Sequence, residues 1–252
     1  DDGVKELILV AQDVTRYGTD LDGKQHLIEL LDKLSELDFE WIRLLYLYPE
    51  MVDDTLIQYV KNNPKIAKYM DIPLQHIDDQ VLKRMNRRTD EKSIRELISK
   101  LKNAGIAVRT TFICGFPGET QEQFEKLEKF VKEVKFDYAG FFAYSREDGT
   151  PADKLDGHID ESVKEARAKK LAAVQERIIK THNKELIGKQ VKVIYDDIDY
   201  DKQTFVGRTQ TQAPDIDNVT LFSADEEVKI GEFYTVEITG ADGIDLVGKV
   251  IE

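Results

Sequence analysis

Along residues 5–186, segments with the hydrophobic pattern of β-strands alternate with segments that have the pattern of amphipathic helices. Short runs rich in apolar and β-branched residues predict buried strands, and segments with an apolar residue every three or four positions predict amphipathic helices. Strands that alternate with helices through short loops favour a parallel sheet. The predicted strands are 5–12, 41–47, 69–74, 106–113 and 138–144, and the predicted helices are 27–37, 53–61, 78–85, 91–103, 120–134 and 161–186.

The pattern changes after Gly188. Short stretches in which apolar and polar residues alternate are separated by turns rich in glycine, aspartate and proline. About five short strands within roughly 65 residues are typical of a small all-β barrel or sandwich. The sequence therefore predicts two domains, 1–183 and 184–252.

Charge and length restrict the kind of protein. No stretch approaches the ~20 apolar residues of a membrane span. The chain carries 36 Lys and Arg against 49 Asp and Glu, a formal net charge of −13. From Lys184 onward, 7 basic residues against 15 acidic residues give −8. Such a field repels nucleic acid and favours a basic partner. The acidic residues at 196–201 and 225–227 are either a docking surface for that partner or solvated turns.

Residues 110–124 carry the clearest local signal, a strand followed by a tight loop and a helix. They read Thr-Thr-Phe-Ile-Cys-Gly-Phe-Pro-Gly-Glu-Thr-Gln-Glu-Gln-Phe. Gly115 and Gly118 allow a positive φ or a close approach to a ligand. Thr120 and Gln123 have the spacing of a capping box. Ligands of parallel α/β folds bind at this carboxyl edge of the strands.

Four blocks resemble radical S-adenosylmethionine (SAM) enzymes of the methylthiotransferase family. Residues 113–120 resemble the signature I-x-G-F-P-G-E-T, and residues 73–87 resemble P-L-Q-H…V-L…M-x-R. Residues 144–152 resemble Y-S-x-x-x-G-T-P-A, and residues 9–18 resemble the first loop of the branch that modifies a ribosomal protein. The blocks follow the family's order.

The resemblance implies an α/β fold, namely a partial (βα) barrel of the radical SAM type that lacks its first strand and cluster loop. A small all-β barrel, TRAM-like and OB-like, follows it. An amide can bind the ribose or carboxylate of SAM, and an arginine can pair with a carboxylate. The residues implied to bind the cofactor are Gln12, Gln75, Arg87, Gly115, Glu119 and Tyr144, and those implied to face the substrate are Asp13 and Tyr17. The alternative for Asp13 is a helix cap.

The chain departs from the family in its cysteines. The family binds two 4Fe–4S clusters, one of them through a C-x-x-x-C-x-x-C motif, and such clusters need thiolates. This chain has one cysteine, Cys114, which we expect to be a buried apolar residue. We therefore expect no metal ligand and no catalytic residue here. We expect the chain to be part of a longer enzyme and inactive alone.

The favoured function is methylthiolation of the β-carbon of an aspartate in a small-subunit ribosomal protein, in the cytoplasm and with an electron donor. The acidic second domain supports a basic protein partner over RNA. Two alternatives stay open, a transfer RNA adenosine methylthiotransferase and a SAM- or RNA-binding module without redox chemistry.

Overall fold

The computed structural model describes residues 3–251, and the amino-terminal part is built on one parallel sheet. The five strands lie side by side in chain order, and every neighbouring pair is parallel. Parallel pairing requires long crossover connections, which the helices provide. The strands are β1 (Glu6–Leu9), β2 (Trp41–Leu44), β3 (Ile66–Asp71), β4 (Ala107–Cys114) and β5 (Tyr138–Ala143).

Helices α3 to α6, whose ranges are given below, begin where a polar side chain caps the first turn. Thr120 accepts from the backbone of Gln123, whose side chain accepts in return, so the predicted capping box is confirmed. Asp90 and Ser93 form a second box. The α-helices are α1 (Thr19–Asp22), α2 (Leu27–Ser35), α3 (Asp54–Asn62), α4 (Asp79–Arg84), α5 (Glu91–Asn103), α6 (Gln121–Val134) and α7 (Glu161–Leu186), and short 3-10 helices span Val14–Arg16, Pro49–Met51 and Ala152–Lys154.

The main core lies between the sheet and the helices. Leu44, Met70 and Phe112 are buried on the side of the sheet that faces the helices. Phe112 stacks on Phe141 with ring centroids 5.7 Å apart, and it makes edge contacts with two further buried phenylalanines. Burial of such side chains is the dominant favourable contribution to folding.

The third strand differs most from its prediction. It begins at Ile66, three residues before the predicted start, and ends at Asp71. Pro73 follows, which cannot donate to a strand ladder. The early start depends on pairing with β2, because Ile66 faces Ile42 across the sheet. A four-residue helix, α1, was not predicted.

The carboxyl-terminal part forms a closed barrel of five strands. Val193, Phe222 and Val236 fill its interior. The prediction of a parallel α/β domain followed by a small all-β barrel is confirmed, whereas the boundary near Lys184 stays a prediction. The strands are β6 (Gln190–Asp199), β7 (Thr204–Thr209), β8 (Thr220–Ser223), β9 (Phe233–Asp242) and β10 (Asp245–Val250), and their order around the barrel is β10-β8-β7-β6-β9.

Buried ion pairs join the barrel to the sheet. Glu6 of β1 accepts from Arg43 Nε (2.8 Å) and from Arg208 Nη2 (2.7 Å). Tyr69 of β3 donates its hydroxyl to Asp217 of the barrel (2.7 Å). Within the barrel, Arg208 also pairs with Asp196 at 2.7 Å, and the Asp196 side chain is 30% exposed. Its part in the predicted acidic surface therefore stays a prediction.

No helix within residues 3–251 combines the length and the apolar character needed to cross a membrane.

Candidate functional site

The loops that follow the strands open at one edge of the sheet, because the strands are parallel. The backbone N–H of Ile113 donates to the carbonyl of Gln75 (2.9 Å), and that of Tyr144 donates to the carbonyl of Cys114 (2.9 Å). The segments 72–76, 114–119 and 144–145 therefore form one continuous surface, which we call the platform.

A buried carboxylate, that of Glu119, holds the loop after β4. One oxygen accepts the N–H of Gly115 at 2.9 Å, and the other accepts from Arg167 at 2.6 Å. Gly115 and Gly118 have φ values of 75° and 81°, in the left-handed region that favours glycine. Because both oxygens of Glu119 bond within the protein, its contacts are those of a brace for the loop. Its contact with a cofactor stays a prediction.

Gln75 and His76 follow β3 on the platform. Gln75 is half-buried and has a φ of 71°, a strain that costs roughly 1–3 kcal/mol and clusters at functional sites. His76 is fully buried, and its Nδ1 accepts the N–H of Asp78 at 3.0 Å. The hydrogen of a neutral ring therefore lies on Nε2, 3.5 Å from Glu119. These contacts give His76 a bracing role.

Tyr144 closes the platform beside β5. Its ring packs edge-on against Phe116, with centroids 5.1 Å apart, and its carbonyl accepts from Lys164 Nζ at 2.7 Å. Its hydroxyl is buried and finds no partner within residues 3–251. Buried hydroxyl groups ordinarily have a partner. An unsatisfied hydroxyl beside a glycine loop fits a polar ligand such as SAM.

The remaining predicted residues lie together at the other end of the edge. Asp13 caps the helix Val14–Arg16 by accepting the N–H of Thr15, and it pairs with Arg16 at 2.9 Å. Tyr17 is half exposed, and Gln12 is exposed. Arg87 lies over the ring of Tyr48, 5.7 Å from its centroid, and Arg16 lies over the same ring at 6.0 Å.

The predicted site residues therefore fall into two groups in the structure. Gln75, Gly115, Glu119 and Tyr144 share the platform. In the second group, Asp13 pairs with Arg16, and Arg16 and Arg87 both lie over the ring of Tyr48. No carboxylate pairs with Arg87 among residues 3–251, so its predicted pairing stays open to a ligand. Sequence reasoning missed Tyr48 and the two cations of α7, Lys164 and Arg167. Basic residues three apart on an otherwise polar helix give only a faint signal.

Cys114 does not fit an iron–sulfur cluster. It is fully buried at the end of β4, and burial raises the pKa of its thiol to about 12, with a further contribution from the nearby Glu119 carboxylate. The thiolate that a cluster needs is therefore disfavoured. Within residues 3–251, no group of three or more metal-ligating side chains comes together.

The class of the protein is a parallel α/β fold with a glycine loop at the carboxyl edge of its sheet and an appended small β-barrel. The profile of the radical SAM superfamily matches residues 1–131, more than half of the 252, and the chain belongs to this superfamily. The TRAM domain profile matches residues 187–251. Members of the superfamily use SAM and a 4Fe–4S cluster.

Two curated relatives are ribosomal protein uS12 methylthiotransferases, RimO. The protein of Clostridium botulinum (strain Eklund 17B / Type B) is 47% identical over 251 residues, which are 98% of this chain and 56% of that protein. The protein of Thermoanaerobacter sp. (strain X514) is 47% identical over 249 residues, 98% of this chain and 57% of that protein. The resemblance to the ribosomal-protein branch is thus confirmed, and the chain spans little more than half the length of these relatives.

A solved structure shares the fold at low identity. Coproporphyrinogen III oxidase (HemN) from Escherichia coli, described as a radical SAM enzyme, aligns with a TM-score of 0.52 and 15% identity. The alignment covers 73% of this chain and 49% of that chain. It supports the architecture alone.

Proposed function

We propose that this chain is the SAM-binding and TRAM part of an enzyme that methylthiolates the β-carbon of an aspartate in ribosomal protein uS12. The observation that carries the proposal is the platform, where Gln75, the loop at Gly115 and Tyr144 meet at the carboxyl edge of a radical SAM sheet. The buried hydroxyl of Tyr144 has no partner within residues 3–251. The two relatives named above support the choice of substrate.

The two groups of residues divide the work in this proposal. The platform binds SAM, with the Gln75 amide offering both a donor and acceptors. In the group around Tyr48, Asp13 and Tyr17 face the substrate, because Tyr17 is exposed. Gln12 and Arg87 of the same group serve the cofactor, to whose carboxylate Arg87 offers N–H groups. SAM supplies the reactive group when bound, and the protein orients it and excludes water. Both 4Fe–4S clusters have their ligands outside this chain in the proposal.

The partner is a basic protein. The net charge of −13 steers basic surfaces toward the chain. The acidic side chains also make local turn contacts, because Asp199 accepts the N–H groups of Asp201 and Lys202, and Asp197, which is exposed, accepts the N–H of Ile198. An electron donor completes the set of partners, and a ribosomal substrate places the reaction in the cytoplasm.

The test uses the full-length protein with its clusters reconstituted, SAM, inorganic sulfide as the source of sulfur, a chemical reductant and uS12. We expect mass spectrometry to find a methylthio group replacing a hydrogen on one aspartate of uS12. Modification of transfer RNA in place of uS12 would assign the chain to the other branch. SAM binding without SAM cleavage would assign it to the binding modules.

The cofactor site is tested separately. SAM titrated into this chain alone should bind weakly, because the cluster that would hold the methionyl end is missing. In the full-length enzyme, Gln75→Ala should weaken SAM binding roughly tenfold, the loss expected for one charge-assisted hydrogen bond. The exposed Gln80→Ala is the matched control. Equal SAM affinity in both variants contradicts the site.

A further inference from the structure

Helix α7 turns two cations inward at its amino-terminal end. Lys164 and Arg167 are only 6% and 8% exposed, although most of the neighbouring side chains on this helix are exposed. Buried cations are costly unless they are paired or hydrogen-bonded. Three residues apart, they lie on the same face of the helix. The contacts that compensate their burial therefore show which parts of the structure these two side chains hold in place.

Arg167 holds the loop after β4. Its Nη1 donates to Glu119 Oε1 at 2.6 Å and to the carbonyl of Glu119 at 3.3 Å, and its Nη2 donates to Gln121 at 3.3 Å. The second oxygen of Glu119 accepts the N–H of Gly115. A chain of contacts thus runs from α7 through Glu119 to the backbone of the glycine loop. Charge-assisted hydrogen bonds of this kind are short and strong.

Lys164 holds the loop after β5 and packs on the loop after β4. Its Nζ donates to the carbonyl of Tyr144 at 2.7 Å. Its stem fills the space beside Gly115, where an added Cβ would stand 2.2 Å from Lys164 Cγ. One side chain therefore contacts two of the three segments of the platform.

We propose that Lys164 and Arg167 are positioning residues that set the spacing of the two platform loops for SAM. The inference rests on the proposed function, because the platform is the SAM site proposed above. The two cations hold backbone atoms in place, and a cofactor bound between the loops gains from that preorganisation without touching either side chain.

The test compares full-length, reconstituted variants by SAM titration and by thermal unfolding. Lys164→Met keeps the stem over Gly115 and removes the hydrogen bond to Tyr144 together with the ion pair to Glu161 (2.5 Å). We expect it to weaken SAM binding roughly tenfold, because the loops then have to be ordered when SAM binds, and that ordering cost offsets part of the binding free energy. The KM for SAM should rise, while the KM for uS12 should stay within about twofold of the wild type.

Lys170→Gln is the matched control on the same helix. It removes an ion pair between Lys170 Nζ and Glu128 Oε2 (2.6 Å) that lies away from the platform. It should lower the melting temperature without changing SAM affinity.

Arg167→Lys keeps the charge beside Glu119 and loses the forked contacts, so its SAM affinity should fall between those of Arg167→Gln and the wild type.

The outcomes separate the two proposals. If wild-type enzyme does not bind SAM, the proposed function fails. If the wild type binds SAM and Lys164→Met binds equally well, the positioning role fails alone. A loss of affinity that merely follows the melting temperature across all variants, Lys170→Gln included, also overturns it.

Discussion

Replacing Glu6 by glutamine tests how the barrel is held against the sheet. The Glu6 side chain is 5% exposed and accepts from two guanidinium groups, Arg43 on β2 and Arg208 on β7. The Arg43 side chain has no exposed surface, and within residues 3–251 its other partners are the carbonyl of Gln210 and the ring of Tyr69. The substitution removes the negative charge that both arginines share.

The expected loss is large because the remaining charges are buried. Removing one partner of a buried pair costs roughly 3–5 kcal/mol, since the other charge is left uncompensated. For a chain of this length, each kcal/mol lowers the melting temperature by about 2–4 °C. We therefore expect Glu6→Gln to lower it by roughly 6–20 °C. Arg208 retains Asp196, which favours the lower half of that range.

The assay is thermal and urea unfolding followed by circular dichroism. Glu40→Gln is the control, because Glu40 pairs with Lys192 across the same interface at 2.7 Å, but both side chains are about half exposed. Exposed pairs contribute about 0–1 kcal/mol. Equal melting temperatures for the two variants would refute the claim that the buried ion pairs hold the interface.

Three further outcomes follow from single groups. Cys114 should resist alkylation in the folded chain at pH 8, because burial raises the pKa of its thiol to about 12, and labelling as fast as in urea would contradict this. Thr120→Ala should cost about 1 kcal/mol of unfolding free energy through loss of the capping box, measured by urea unfolding, and no loss would count against the cap. Burial raises the pKa of the Asp217 carboxyl, so the folded state holds a proton on this group more tightly than the unfolded state does. The stability that this group contributes is therefore greatest at low pH. It falls as the pH rises from the ordinary carboxyl pKa through the raised pKa of the folded state. The unfolding free energy of the wild type minus that of Asp217→Asn should fall over that window, and a difference independent of pH would refute the assignment.

Local pattern determined the elements and their order. The capping box at Thr120 and the apolar period of α5 depend on residues within one helix, and the sequence displays them directly. The common edge of the loops also followed from sequence, because strands separated by helices are parallel and their carboxyl ends must meet. These features rest on spacing within a few residues, which a linear sequence preserves.

Which charges are buried was decided by tertiary structure. Glu6 and Arg208 are 202 positions apart, and Arg167 and Glu119 are 48 apart, so no local pattern links them. A charged side chain has the same sequence signature whether it meets water or a distant partner. Whether it is buried depends on which surfaces pack together. The long-range pairing of strands and domains determines those surfaces.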